Sequence, residues 1–437
     1  MLQKFNKHSF IKPEKSPIFY GYIIAIVGTL GVVASMPGQT IGVSTFTDPV
    51  KDALGLNRDQ FSHAYLIGTL LSSLLLGQAG KWFDKYGARW LSLIATISLA
   101  ISLGLCASSE IIKNKLNILF HTNHWIIPFS IMVVLFFLIR FTGQGVLTMS
   151  SRNMIMKWFD EYRGRVNAVR SILVSLAFSI SPLWISLLID NKGWQQAWLF
   201  MCFAVVVMAV IIYFFYRDNP ENHGLLPDGR KKSKTENNHN KKEYRQFSLK
   251  EALKTRAFWS YSLTISFYSF FVTGFTFHVV SIFENAGYNK NDAVAIFLPI
   301  SIISVILSLL GNVLADFVKL NYFLYTMLVG GLLASVGLIM LEDTLGIYLL
   351  VGGIGLLGGM FAVLNAITWP RFYGRKNLGA ITGQLMRLLV LGSALAPSLF
   401  SLSKTFLGNY QVIGIISIVA LIIVAIGSIK VANPQER

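Results

Sequence analysis

The sequence predicts an all-α polytopic membrane protein, with twelve transmembrane helices in two pseudo-symmetric six-helix bundles. Three observations lead there. Of 437 residues, 54% are hydrophobic and only 14% charged, with a mean hydropathy of +0.57, whereas a soluble chain of this length needs a charged surface. Apolar runs of about twenty residues or more, long enough to cross a hydrocarbon core of about 30 Å, recur along the whole chain. Six precede and six follow one polar stretch, 217–256, which carries eleven Lys/Arg and six Asp/Glu. The expected organisation is therefore a bundle over 1–216, a cytoplasmic linker with a short interfacial helix over 217–256, and a second bundle over 257–437. The expected spans are 19–46, 61–79, 90–109, 126–149, 164–189 and 195–216, then 257–283, 292–315, 320–341, 345–369, 378–403 and 409–431.

The formal charge is +17, and its distribution decides what it means. With the N-terminus in the cytoplasm and one crossing per run, and with Arg165 and Lys430 at the cytoplasmic ends of their spans counted as cytoplasmic, 28 of the 38 Lys/Arg fall in cytoplasmic segments, 7 in outside loops and 3 inside helices. That is the positive-inside asymmetry of a membrane protein and not a nucleic-acid footprint. It places the chain in the cytoplasmic (inner) membrane with both termini cytoplasmic. The first run follows Lys4, Lys7, Lys12 and Lys15 but is too long for a signal-peptide core, so it reads as the first span. Cys106 and Cys202 both lie in apolar runs, which suggests neither a disulfide framework nor a metal site. Most tryptophans, such as Trp82, Trp90, Trp125, Trp194 and Trp259, sit near expected helix ends, where an interfacial belt belongs.

Along the chain, Pro37-Gly38 interrupts the first helix, and Gly274 interrupts the seventh at a similar depth. Paired interruptions in two halves point to a transporter's substrate path; the plainer alternative is that Gly and Pro are common in membrane helices. Gln39, Thr40, Thr273, Thr276 and His278 cluster around these breaks. The halves also share landmarks. Lys157-Trp-Phe159, Gly164 and Pro182 are matched by Arg371-Phe-Tyr373, Gly379 and Pro397 at an offset of 214 or 215.

Between the second and third helices lies Gly80-Lys-Trp-Phe-Asp84-Lys-Tyr-Gly87-Ala-Arg89. Its glycines permit a tight turn, and Asp84 can pair with Lys85 or Arg89 or meet a helix end. In this position Gly-x-x-x-Asp-x-x-Gly-x-Arg resembles the signature loop of the major facilitator superfamily. The resemblance implies a gating role for Gly80, Asp84, Gly87 and Arg89, with Asp84 and Arg89 latching the cytoplasmic side in the outward-open state. The second half retains only Asn312-Val-Leu-Ala-Asp316, without the later Gly and Arg.

Arg140 lies near the middle of the fourth helix and Arg387 nine residues into the eleventh. Each is unfavourable there by roughly 2.5–3.5 kcal/mol unless it meets water or an anion. No Asp or Glu lies deep in any expected helix, so the missing partner can be the substrate; backbone carbonyls are the alternative for Arg140. The run Arg140-x-x-Gly143-x-Gly145 also resembles a superfamily motif whose arginine faces the central cavity. Arg170 can snorkel to the interface. His278 can carry a coupling proton, or it packs among aromatics, and His63 is a weaker candidate. The five glycines between Gly352 and Gly359 suit close helix packing first and bending second. In the linker, Ser248-Leu-Lys-Glu251 reads as a capping box that opens a short helix on the membrane surface, running up to Phe258-Trp259.

Neither a Walker loop nor a zinc signature nor a nucleophile constellation appears, so no enzyme, cofactor or metal is expected and the energy comes from a gradient or an exchange. The helix 5 signature of drug/proton antiporters is also missing: Ser179-Ile-Ser-Pro182 lacks the glycine pattern. Pro37–Phe46, Trp158–Gly164, Ser248–Trp259 and Phe372–Gly379 resemble the monocarboxylate transporter and oxalate:formate antiporter branch, except that the eighth helix lacks that branch's charge. The expected function is secondary transport of a small organic anion by alternating access, as symport or antiport, with protons or a counter-anion as the coupled species. Arg140, Arg387, Gln39, Thr40, Thr276 and His278 would bind it. Two cations favour a dicarboxylate or polycarboxylate, such as a carboxylate siderophore, over a monocarboxylate. The alternatives are export of a neutral or cationic compound, and a transporter-like sensor that uses its linker to bind partners.

Overall fold

The computed structural model describes residues 12–229 and 245–436. The basic run Arg230–Glu243 and the lysines Lys4 and Lys7 lie outside the described residues. Among the described residues, ten helical stretches are long and apolar enough to cross a membrane. One of them, Arg58–Ala107, has 50 residues, about twice what a bilayer requires. It leaves helical geometry only at Gly87 (φ 84°, ψ 169°), a region closed to residues with a Cβ, and is therefore two spans. With the 17-residue apolar helix Gln411–Gly427 the total is twelve.

In chain order these are α1 (Tyr20–Ser44), α2 and α3 (58–86 and 88–107), α4 (Ile126–Trp158), α5 (Arg163–Lys192) and α6 (Trp194–Phe215). Then come α7 (Arg256–Asn285), α8 (Asn291–Leu314), α9 (Leu320–Ile339), α10 (Thr344–Tyr373), α11 (Leu378–Leu407) and α12 (Gln411–Gly427). Helices dominate because lipid offers the backbone no hydrogen-bond partner, so each spanning segment must satisfy its own.

The chain divides into two compact units. Unit 1 comprises 1–160, 172–241 and 378–387; unit 2 comprises 161–171, 242–377 and 388–437. Each unit thus includes the first turns of one long helix, α11 in unit 1 and α5 in unit 2. Unit 1 is organised on the end of α4, where every residue from Met149 to Trp158 is buried. Against it lie Tyr20 and Ile24 of α1 and Tyr216, all fully buried, with the Tyr216 hydroxyl 2.7 Å from that of Ser151. Unit 2 is organised on α10, whose last turns bury Trp369, Phe372 and Tyr373.

Several boundaries differ from the sequence reading. Asp84 lies on the last turn of α2 rather than in an open loop, because nothing stops that helix before Gly87. α7 is continuous from Arg256 to Asn285, so Gly274 does not interrupt it. There the missing Cβ makes room instead for the ring of Phe400. The surface helix is shorter than expected. Ser248 and Glu251 form the reciprocal capping box, but the helix covers only Leu249–Leu253 before Thr255 caps α7. Helices at Thr47–Leu54 and Ser109–Leu119 were not anticipated.

Candidate functional site

α1 is broken where the sequence places Pro37-Gly38. Residues Met36–Gly38 form a single 3-10 turn, Gln39 is extended (φ −83°, ψ 157°), and a short helix Thr40–Ser44 follows. The break faces a second irregularity, since Arg140–Leu147 of α4 is wound as a π-helix. Wide turns of this kind inside α-helices frequently mark functional sites. The two irregular segments touch through backbone: a Cβ on Gly38 would strike the carbonyl of Ile139 and come within 2.9 Å of the Gly143 Cα. Glycine is needed there for the approach itself.

Side chains from both segments converge at this contact. The Gln39 amide donates to Ser35 Oγ and Thr148 Oγ1, each at 3.1 Å, and Thr148 donates to Ser35 at 2.8 Å. Thr40 Oγ1 lies 3.0 Å from the Tyr65 hydroxyl. Arg140 is 1% exposed. One of its terminal nitrogens donates to the Gly38 carbonyl and to Thr40 Oγ1, both at 3.2 Å, and its guanidinium lies 5.1 Å from the centre of the Tyr65 ring. Its Nε and Nη2 are buried with no hydrogen-bond partner among the described residues, and Gln144 Oε1 is in the same condition. A buried guanidinium keeps about three of its five donors idle only at a penalty of several kcal/mol. Carbonyl stitching is therefore partial, and two nitrogens are left over.

Arg387 is half-buried and makes no hydrogen bond or ion pair among the described residues. The polar residues of α7 are drawn to α11. Thr273 Oγ1 lies 3.0 Å from Ser393 Oγ, and His278 Nε2 lies 2.9 Å from the Pro397 carbonyl with its ring stacked on Phe400. Thr276 and His63 are exposed. Arg170 donates two N–H groups to Asn167 Oδ1, at 2.9 and 2.7 Å, one turn earlier on its own helix.

The signature residues split into two groups within unit 1. Asp84 accepts from the backbone N–H groups of Gly379 and Ala380, at 2.8 and 2.6 Å, so its carboxylate caps the first turn of α11, where the helix dipole favours an anion. Gly80 packs backbone to backbone against Gly379 and Gly383, and Asn153 of α4 donates to Thr382 at 2.6 Å. Gly87 and Arg89 serve the end of α6. Asp218 accepts from the Arg89 N–H at 3.0 Å, and the Arg89 side chain donates to the Tyr213 carbonyl at 2.6 and 3.0 Å.

Unit 2 repeats the first group with different residues. Asp316 accepts from the Gly164 N–H at 3.1 Å in the first turn of α5, and the Asn312 carbonyl packs on Gly164. Burial pushes the Asp316 carboxyl above its usual range, against the opposing pull of the Gly164 N–H, Arg371 and Arg165. Asn167 donates to Asn312 at 2.6 Å and to the Ala362 carbonyl at 2.9 Å. Sequence reasoning passed over these partners, as it did Tyr65 and Thr148. For Thr148 a signal exists, since eight residues past Arg140 it returns to a similar face of the helix.

The profile of the Major Facilitator Superfamily matches residues 18–397. No curated protein matches the chain in sequence at a significant level. Among solved structures, the fucose:proton symporter of E. coli has a TM-score of 0.61 at 13% identity, over 94% of this chain and 99% of that one. A proton:xylose symporter scores 0.64 at 14% identity, over 94% of each chain. A bacterial homologue of the iron transporter ferroportin in its outward-facing state scores 0.63 at 14%, over 93% and 98%. At such identities these likenesses speak for the fold, and the profile for the family. With twelve spanning helices, a broken α1 against an irregular α4, and carboxylates capping α5 and α11, the chain belongs to the Major Facilitator Superfamily and is a multi-pass secondary transporter of small molecules that works by alternating access.

Proposed function

We propose that the cargo is a small organic anion bearing one or more carboxylates, bound at the α1 break. The observation that carries this reading is Arg140, almost fully buried with Nε and Nη2 unpartnered. Arg387 is a second cation without a partner among the described residues, and all described Asp and Glu side chains lie toward helix ends or in connections. A carboxylate is the complementary group, because it can accept two parallel N–H bonds from one guanidinium. Gln39 and Thr40 belong to the same site; Thr276 and His278 would contribute from α7. Two cations suit a di- or polycarboxylate, a carboxylate siderophore included, better than a monocarboxylate. This agrees with the resemblance to the monocarboxylate and oxalate:formate branch without selecting one member of it.

In the proposed cycle the caps on α5 and α11 must let go. Asp84 with Gly379 and Ala380, and Asp316 with Gly164, hold the side that carries the linker, and the basic loops assign that side to the cytoplasm of an inner membrane. Gly80, Gly87 and Arg89 shape the turn from which Asp84 acts. A neutral solute is the second reading, favoured by the uncharged donors and acceptors of Ser35, Gln39, Thr40, Tyr65 and Thr148 around the same break.

The test is uptake by proteoliposomes of labelled mono-, di- and tricarboxylates beside a neutral sugar and a cation, with and without a pH gradient. Carboxylate uptake that is lost in Arg387→Gln, with normal membrane insertion, is the expected result. Uptake of the neutral solute alone overturns the anion reading. Anion uptake that survives Arg387→Gln removes α11 from the site.

A further inference from the structure

A groove of about 620 Å³ opens on unit 2 where the surface helix meets the start of α7 and the end of α12. Its volume is that of an ordinary small-molecule site, roughly 300–1,000 Å³, but its lining is graded. At one end stand Lys254, Thr255, Arg256 and Ser260; at the other, Leu263, Ile423 and Ile426. Trp259 sits at the junction, its indole N–H fixed on the Leu253 carbonyl at 2.8 Å. Lys254 and Arg256 are exposed, and no carboxylate lines the groove. The nearest acid along the chain, Glu251, already serves Ser248 and Arg245, the latter at 2.8 Å.

We propose that this groove is a binding site for an anionic phospholipid of the leaflet on the linker's side, with the headgroup phosphate at Lys254 and Arg256 and an acyl chain along Leu263, Ile423 and Ile426. The charge matches, because a row of cations without acids attracts an anion where a membrane surface already concentrates anionic lipid. The apolar end names the source of that anion. Leu263, Ile423 and Ile426 are 41%, 65% and 63% exposed on spanning helices, so they face hydrocarbon, where a water-soluble phosphate does not go. An indole between a polar and an apolar zone is the usual occupant of the headgroup boundary. The occupied groove ties the surface helix, and through it the linker, to α7 and α12.

Native mass spectrometry of the purified full-length protein in detergent, exchanged with phosphatidylglycerol or phosphatidylcholine, tests this. The wild type should retain phosphatidylglycerol over phosphatidylcholine on the order of tenfold, as two cations near a phosphate imply. Lys254→Gln with Arg256→Gln should erase that preference. Lys319→Gln with Lys376→Gln removes the same charge outside the groove and should leave it intact. Ile423→Ser with Ile426→Ser should lower retention of both lipids. Equal retention of the two lipids by the wild type overturns the site, as does an unchanged preference in the groove variant, an equal loss in the control, or displacement by inorganic phosphate. Retention unaffected by the α12 pair overturns the seat of the acyl chain.

Discussion

The two units answer the same problem differently. In unit 1 the backbone is irregular on α1 and again on α4, and the side chains that meet the α1 break come from α2 and α4: Tyr65, Arg140 and Thr148. In unit 2 α7 is regular, the proline is on α11, and α7 supplies the side chains, His278 and Thr273, that close on it. One arrangement leaves guanidinium nitrogens idle; the other pairs both polar side chains. The carboxylate caps differ in the same direction. Asp84 gives one oxygen to each of two N–H groups, whereas Asp316 takes one N–H and sits 4.0 Å from Arg165 and from Arg371. Internal symmetry of sequence thus preserves where polar groups occur without preserving what they do.

The largest expected effect lies at Arg140. Hydrogen bonds to a charged group contribute about 1.5–3 kcal/mol each, so losing two in Arg140→Gln should slow anion uptake by about a hundredfold or more, at normal insertion. An uptake within a few-fold of wild type would make the idle nitrogens a packing feature and erase the contrast between the units. Next come the caps. Asp84→Asn forfeits one of two charge-assisted bonds and should lower the unfolding free energy in detergent by about 1.5–3 kcal/mol. Asp316→Asn keeps an acceptor for Gly164 and loses long ion pairs of at most ~1 kcal/mol. Equal losses in the two variants would contradict the asymmetry.

Glycine substitutions sharpen the comparison further. Gly38→Ala drives a methyl into backbone of α4, for about 1–3 kcal/mol, measurable as a fall in thermal unfolding temperature. Gly274→Ala meets only the Phe400 side chain, which can turn aside, and should shift that temperature less. The smallest change is expected from His278→Gln, which removes one bond to a carbonyl, worth about 0.5–1.5 kcal/mol. Uptake should fall less than tenfold and keep its pH profile. Loss of proton dependence would make this histidine a proton carrier and the α7 region the more active of the two.

Much of the scaffold is legible in the sequence because hydropathy and lipid impose it directly: ordinal helix positions and the break at Pro37-Gly38 follow from residue type alone. Arg140 and Arg387 stand out for the same reason, since a cation far from a helix end is conspicuous whatever surrounds it. What the sequence leaves unread depends on distant neighbours. Gly274 resembles an interruption until Phe400 is placed against it. Asp316 lacks the residues that make the first loop recognisable, yet Gly164, 152 positions away, supplies its partner. Tyr65 looks like one more aromatic in a membrane helix until Thr40 and Arg140 reach it.

The π segment of α4 has a consequence for everything that follows it in the helix. A turn that holds one residue too many sets the azimuth of the remaining chain, and each residue in a regular helix accounts for about 100° of rotation. Deleting one position between Arg140 and Leu147 would leave hydropathy, length and charge almost unchanged. It would nonetheless swing Thr148 away from Gln39 and Asn153 away from Thr382, so that α4 could no longer keep its contacts with α1 and with α11 at the same time.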